Sequence, residues 1–221
     1  MLKDKSIIYI KGENTIINRE DIFPYHEDII KVKITDRCTT IGQYGFVFCS
    51  HLLSVVIPNS ITTINETAFG ECKSLSSVTI PDSVTNIKNQ TFYDCTSLEH
   101  ITLPNSLKEI GELAFFNCGL KELIIPEGVN KIDGSAISSC FNLESITLPS
   151  SLKTISSDGY LGRNCDKLRA IKKYGKFIRF SFDTFNDRAD LTLYVDPSLV
   201  NSYKEMRDEH YGRYKVLPLE N

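Results

Sequence analysis

The sequence predicts an elongated repeat solenoid with a parallel strand ladder, and two periodic residue types carry that prediction. Prolines stand at Pro58, Pro81, Pro104, Pro126 and Pro149, in steps of 23, 23, 22 and 23. Cysteines stand at Cys49, Cys72, Cys95, Cys118 and Cys140, in steps of 23, 23, 23 and 22. Unrelated residue types sharing one period mark a supersecondary unit that buries its apolar side by stacking on its neighbours. The composition agrees: of 221 residues 41% are hydrophobic and 24% charged, which supports a packed core.

Each unit opens with a strand. One copy reads Cys72, Leu75, Val78, Ile80 and Pro81, and the next Cys95, Leu98, Ile101, Leu103 and Pro104. Apolar residues two apart give a strand with one buried face, and proline, lacking an N–H, ends it. Strands are therefore expected at Ser77 to Ile80, Ile101 to Leu103, Leu123 to Ile125 and Ile146 to Leu148, stacked in that order and in register. Turn formers such as Asp82 and Ser83 follow. A second extended stretch then carries apolar residues three apart, Val84 and Ile87 or Leu107 and Ile110. The closing segment, Thr91, Phe92 and Cys95 or Ala114, Phe115 and Cys118, has the same spacing and predicts a helical turn.

The frame degrades toward both ends, as terminal repeats do. Upstream it falls on His26, Ile29, Val32, Ile34, Cys38, Ile41, Phe46 and Cys49, with Thr35 in place of proline. One residue is missing after Cys118, two are added before Cys165, and a partial copy holds Leu168 and Ile171. The expected organisation is a single domain. Residues 1–25 form an N-terminal cap, 26–171 hold six to seven repeats of 22–25 residues, and 172–221 form a C-terminal cap. In the first cap, Ile7 to Ile17 is a two-strand stretch broken by Gly12, and Phe23 takes the aromatic slot. In the second, Phe177, Phe180, Phe182 and Phe185 mark an irregular stretch. Asp196 is then placed as an N-cap before Pro197, with helix to about Glu209 and a short strand around Val216.

These units resemble the leucine-rich repeats of the BspA type over about Ile22 to Ile171. The run Leu193-Tyr194-Val195-Asp196-Pro197 resembles that family's usual ending. The resemblance implies a right-handed leucine-rich-repeat solenoid, and roles in adhesion or host-protein binding for the better-known members. Those members are surface and secreted proteins of host-associated bacteria and of some parasitic protists. It supplies no catalytic residues.

The residues themselves point the same way on chemistry. With 25 basic and 28 acidic residues the formal charge is -3, and no basic face for nucleic acid is expected. No apolar run reaches the ~20 residues of a membrane span. No secretory leader is read in Met1 to Ile10, so location rests on the resemblance, which leans to secreted or cell surface. No Cys-x-x-Cys pair occurs, and six of the seven cysteines share one repeat position. They are read as a reduced, buried ladder without metal. His26, His51, His100 and His210 lie outside any catalytic motif, with His26 as a packed substitute in the cysteine slot. Gly42 and Gly45 form no phosphate loop. The sequons Asn65-Glu66-Thr67 and Asn89-Gln90-Thr91 matter where secreted protein is glycosylated. The expectation is a protein that is not an enzyme and takes no cofactor, with no signal of oligomeric state.

The outward face of the strand ladder is the candidate site. Its columns are Leu53, Ser76, Glu99, Lys121 and Glu144; Ser54, Ser77, His100, Glu122 and Ser145; and Val56, Thr79, Thr102, Ile124 and Thr147. Solenoid geometry favours a binding face for a protein partner, which the resemblance extends to host or extracellular-matrix proteins. The Ser and Thr content and the lack of an aromatic cluster favour a bland strand surface, and with it a structural or spacer domain.

Overall fold

The computed structural model describes residues 7–10, 16–156, 161–178, 188–209 and 212–220. Gly12, Phe180, Phe182, Phe185 and His210, together with residues 1–6, lie outside the described residues. The chain winds as a parallel-strand solenoid, each coil contributing three successive sides.

The first side holds the longer strands. Ile7–Ile10, Lys31–Ile34, Ser54–Val56, Ser77–Thr79 and His100–Thr102 form one five-stranded parallel sheet. Glu122–Ile124, Ser145–Leu148, Ala170–Lys173, Thr192–Val195 and Lys215–Pro218 form a second. Burial alternates along them, so Val78, Leu123 and Ile146 point into the core while Ser77, Thr79, Glu122 and Ile124 face water. The register is Ser77 to His100, Val78 to Ile101 and Thr79 to Thr102, as the repeat period demands.

One expectation is met only in part. The strands His100–Thr102 and Glu122–Ile124 exchange no ladder hydrogen bonds, so the stack is two sheets and not one. The cause is the residue missing after Cys118. The shortened connection presses Gly119 against the preceding coil, where its N–H donates to the Cys95 carbonyl at 3.3 Å. A Cβ at Gly119 would stand 2.4 Å from the Thr96 carbonyl oxygen, so only glycine fits. Beside this seam Ile101 and Leu103 are half-buried, whereas Val78 and Ile80 are buried. The second side carries the coils across it: the two-residue strands Asn86–Ile87, Glu109–Ile110, Lys131–Ile132 and Thr154–Ile155 pair in an unbroken row.

The third side corrects a second expectation. The Ala/Thr-Phe-x-x-Cys segments are tandem turns, not helical turns. Ala68 N–H donates to the Asn65 carbonyl, Gly70 to Thr67 and Cys72 to Phe69, while the alternate groups, from Thr67, Phe69 and Glu71, donate to Asn89, Thr91 and Tyr93 of the next coil. Half the donors are thus committed between coils, and a helix, which needs every one of them within itself, cannot form. The path requires left-handed residues four apart: Thr67 and Glu71, Gln90 and Asp94, Leu113 and Asn117, all with φ between 53° and 59°. For a β-branched residue such as Thr67 this is a strained conformation.

Between the sides lies one continuous core. Phe46, Phe69, Phe92 and Phe115 stack with centroids 5.2, 5.5 and 5.8 Å apart, all fully buried. Ile137, 22 residues on from Phe115, takes the same repeat position and is also buried.

The ends join the ladder. Ile7–Ile10 pairs with Lys31–Ile34 and Ile16–Ile17 with Thr40–Ile41, so the N-terminal segment supplies strands to both rows. Phe23 does not enter the aromatic column: it is 40% exposed and stacks on His26 at 4.5 Å, while Ile22 is buried beside it. His26 accordingly lies near the surface and not in the thiol column. At the other end, Asp196 caps the chain through the Ser198 N–H at 2.9 Å, as expected. A 3-10 turn, Pro197–Leu199, leads into the helix Val200–Glu209, which buries Tyr203 and Met206. Arg188 ties this end to the last repeat, donating to the carbonyls of Cys165 and Leu168.

Candidate functional site

The outward columns assemble on one face because the strands place every second side chain there. Ser76, Ser77, Thr79, His100, Thr102, Lys121, Glu122, Ile124 and Glu144 are exposed; Ser54, Glu99, Ser145 and Thr147 are partly covered. Three aliphatic side chains stand in water: Ile124 is 62% exposed, Val56 56% and Leu53 46%. The register brings Glu122 beside Ser145 and Ile124 beside Thr147, while Ser54 lies beside Ser77.

The charges on this face meet at the seam. Lys121 Nζ lies 2.8 Å from Glu99 Oε2, bridging the two sheets where backbone pairing stops. The hydrogen bond from Lys121 holds the Glu99 carboxyl below its ordinary pKa, and the same bond holds the Lys121 ammonium above its own. Both side chains are about half exposed, so water and salt weaken the pair.

Sequence reasoning stopped the columns short. The structure continues them with Lys31 and Lys33 at one end, and with Lys172, Tyr194 and Leu217 at the other, through the pairings Thr147 to Lys172, Lys172 to Tyr194 and Tyr194 to Leu217. The available signal was the period-2 alternation of these strands, which persists where the proline marker is lost.

Other candidate chemistries resolve into structure. Among the described residues no group of three or more His, Cys, Asp or Glu side chains could hold a metal ion. The cysteines are separate, buried thiols, and they do more than fill space. Sγ of Cys72, Cys95, Cys118 and Cys140 donates to the carbonyls of Phe46, Phe69, Phe92 and Phe115 at 3.1–3.2 Å, linking each coil to the one before. Burial pushes the Cys72, Cys95 and Cys118 thiols up, and that of Cys49 to about 12, so they are poor nucleophiles. Cys165 runs the other way, its thiolate favoured by a hydrogen bond from Cys140 and by the charge of Arg188. In the sequons, Thr91 is fully buried and its hydroxyl donates to the Lys88 carbonyl, while Asn65 Oδ1 accepts from Lys88 Nζ. No described helix is long and apolar enough to cross a membrane.

The sequence matches the model of the BspA type leucine rich repeat region in six copies, over residues 15–141 and 62–192. The fold is similar to that of the pneumococcal vaccine antigen PcpA, with TM-score 0.62 and 17% identity, covering 98% of this chain and 71% of that one. It is also similar to a leucine rich cell surface protein from Faecalibacterium prausnitzii A2-165, with TM-score 0.57 and 20% identity, covering 97% and 88%. A third similar fold is the T. pallidum leucine rich repeat protein, with TM-score 0.55 and 22% identity, covering 91% and 76%. No curated protein matches the sequence.

Proposed function

The chain belongs to the BspA-type leucine-rich repeat family, and from that premise we propose that it is a non-enzymatic, adhesin-like module that holds a protein partner along its outward strand face. The observation that carries the reading is the set of aliphatic side chains left in water on that face, with Ile124 at 62% exposure beside Thr147 and on the same strand face as Glu122. Covering a fully exposed aliphatic side chain releases about 1.5–3 kcal/mol, and the surrounding charges and hydroxyls supply direction and register. The cell-surface description of the Faecalibacterium protein supports a surface or secreted location, and a host or extracellular-matrix protein is the partner that this reading names.

A spacer role is the second reading, favoured by the run of small hydroxyl residues at Ser76, Ser77, Thr79 and Thr102. Immobilised protein, exposed to purified extracellular-matrix proteins, separates the two. The binding reading expects retention of a defined protein that Ile124→Asp with Lys121→Glu abolishes while the melting temperature holds. Retention unchanged by those substitutions, or none at all, favours the spacer.

A further inference from the structure

The tandem-turn side carries a second aromatic column, immediately outside the buried phenylalanines: Val47, Gly70, Tyr93 and Phe116 occupy the same position in successive coils. Tyr93 and Phe116 stack with centroids 5.2 Å apart and planes 7° from parallel. At Gly70 the column has no side chain, and a recess of about 240 Å³ opens there. Its ends are Val47 and the free face of the Tyr93 ring, and its flanks include Tyr44 and Phe48, which are 42% and 43% exposed. Two coil spacings separate those ends, about 10 Å, which leaves the thickness of one planar ring. An apolar cavity of ~150 Å³ is already enough to take up a benzene ring.

The gap is built into the backbone. A Cβ at Gly70 would stand 2.6 Å from Cγ2 of Thr67, a β-branched residue held at φ 54°. The strained Thr67 therefore occupies the space through which a side chain at position 70 would leave, and the slot stays open. Glu71, 3.6 Å from Lys73, and Gln90 stand at the rim with Arg19.

We propose that this slot binds an aromatic side chain of a partner polypeptide, a tyrosine or tryptophan that takes the missing place in the Tyr93–Phe116 stack. Its ring lies on Tyr93, and its phenol O–H or indole N–H turns to the acceptors Glu71 and Gln90 at the rim. A pyranose would set its hydroxyl groups against Val47 and Phe48, so the walls favour a flat apolar ring. The site lies on a different side of the coil from the strand face and does not depend on binding there.

The test uses the full chain and small probes. N-acetyl-tyrosinamide and N-acetyl-tryptophanamide are titrated while the backbone amide signals of Val47, Gly70 and Tyr93 are followed by NMR. Saturable shifts at those amides are expected, weakened about tenfold by Phe48→Ser and left unchanged by Ile124→Ser on the strand face. Because Phe48 is already half exposed, a melting temperature equal to that of the parent chain confirms that the variant reports on the slot. The absence of saturable shifts, equal affinity for N-acetyl-cyclohexylalaninamide, or a preference for methyl glucoside would each overturn the proposal.

Discussion

Lys121 is bonded to Glu99 at 2.8 Å across the one interval, among the described residues of this face, where consecutive longer strands share no ladder. In the coils around it the residue entering the strand donates its N–H to the coil before: Glu99 to Ser76, Glu144 to Lys121 and Arg169 to Glu144. No such bond links Lys121 to its predecessor. An exposed ion pair stands where a backbone hydrogen bond stands elsewhere. Amide hydrogen exchange should therefore be faster over residues 121–124 than over 144–147, since unpaired amides exchange without an opening event. Equal protection in the two segments would show that the seam is closed in solution.

Gly119 is what permits the seam. Gly119→Ala places a methyl group 2.4 Å from the Thr96 carbonyl oxygen, a backbone atom that cannot move alone. The expected cost is about 1–3 kcal/mol in denaturant unfolding, the range for overpacking a tight contact. An unchanged unfolding midpoint would show that the two coils do not approach this closely at Gly119.

Lys173 occupies an inward strand position and is fully buried, its ammonium donating to the carbonyls of Pro149 and Tyr174. Burial lowers its pKa. The folded state then binds fewer protons than the unfolded state between the lowered value and the ordinary lysine value, so stability rises with pH through that window. Lys173→Met should remove this alkaline rise and lift the melting temperature by about 2–4 °C, the shift that ~1 kcal/mol produces in a domain of this size. A variant with an unchanged pH profile would mean that the amine is already neutral or hydrated.

The C-terminal segment closes the stack through the strands Thr192–Val195 and Lys215–Pro218 and through the Arg188 bonds. Removing everything after Asp190 strips two ladder strands and bares the edge of Ala170–Lys173. The truncated chain should associate, visible as a rise in light scattering, because an exposed ladder edge pairs with other chains. A truncated chain that stays monomeric with its melting temperature intact would make the tail an appendage.

Much of this was legible in the sequence because the repeat is read from side chains that the core demands. The Val78–Ile80 alternation located the strands to within a residue, and Asp196-Pro197 located the helix start. What was not legible depends on backbone hydrogen bonding. Phe92 and Cys95, three apart, fit a helical turn as well as a tandem turn, and the choice is made by carbonyls in the next coil. The thiol column looked like apolar filler because a donor is recognised only when its acceptor, such as the Phe69 carbonyl, is in place. Lys173 carried a signal, standing two residues after the inward Ile171. For the outward face, the sequence named the columns, but their ion pair across a broken ladder came from a one-residue deletion whose effect is three-dimensional.

The solenoid rests on one division, a phenylalanine and thiol core inside and a free strand face outside. Denaturant unfolding of Phe92→Ala and Ser77→Ala measures it most directly. Phe92 lies fully buried between Phe69 and Phe115, so its truncation should cost ~3–5 kcal/mol, because the flanking coils are held apart by their own ladders. Ser77 is exposed, and its truncation should change stability by less than about 0.5 kcal/mol. Losses of similar size at the two positions would contradict the division and, with it, the assignment of the strand face as a free surface.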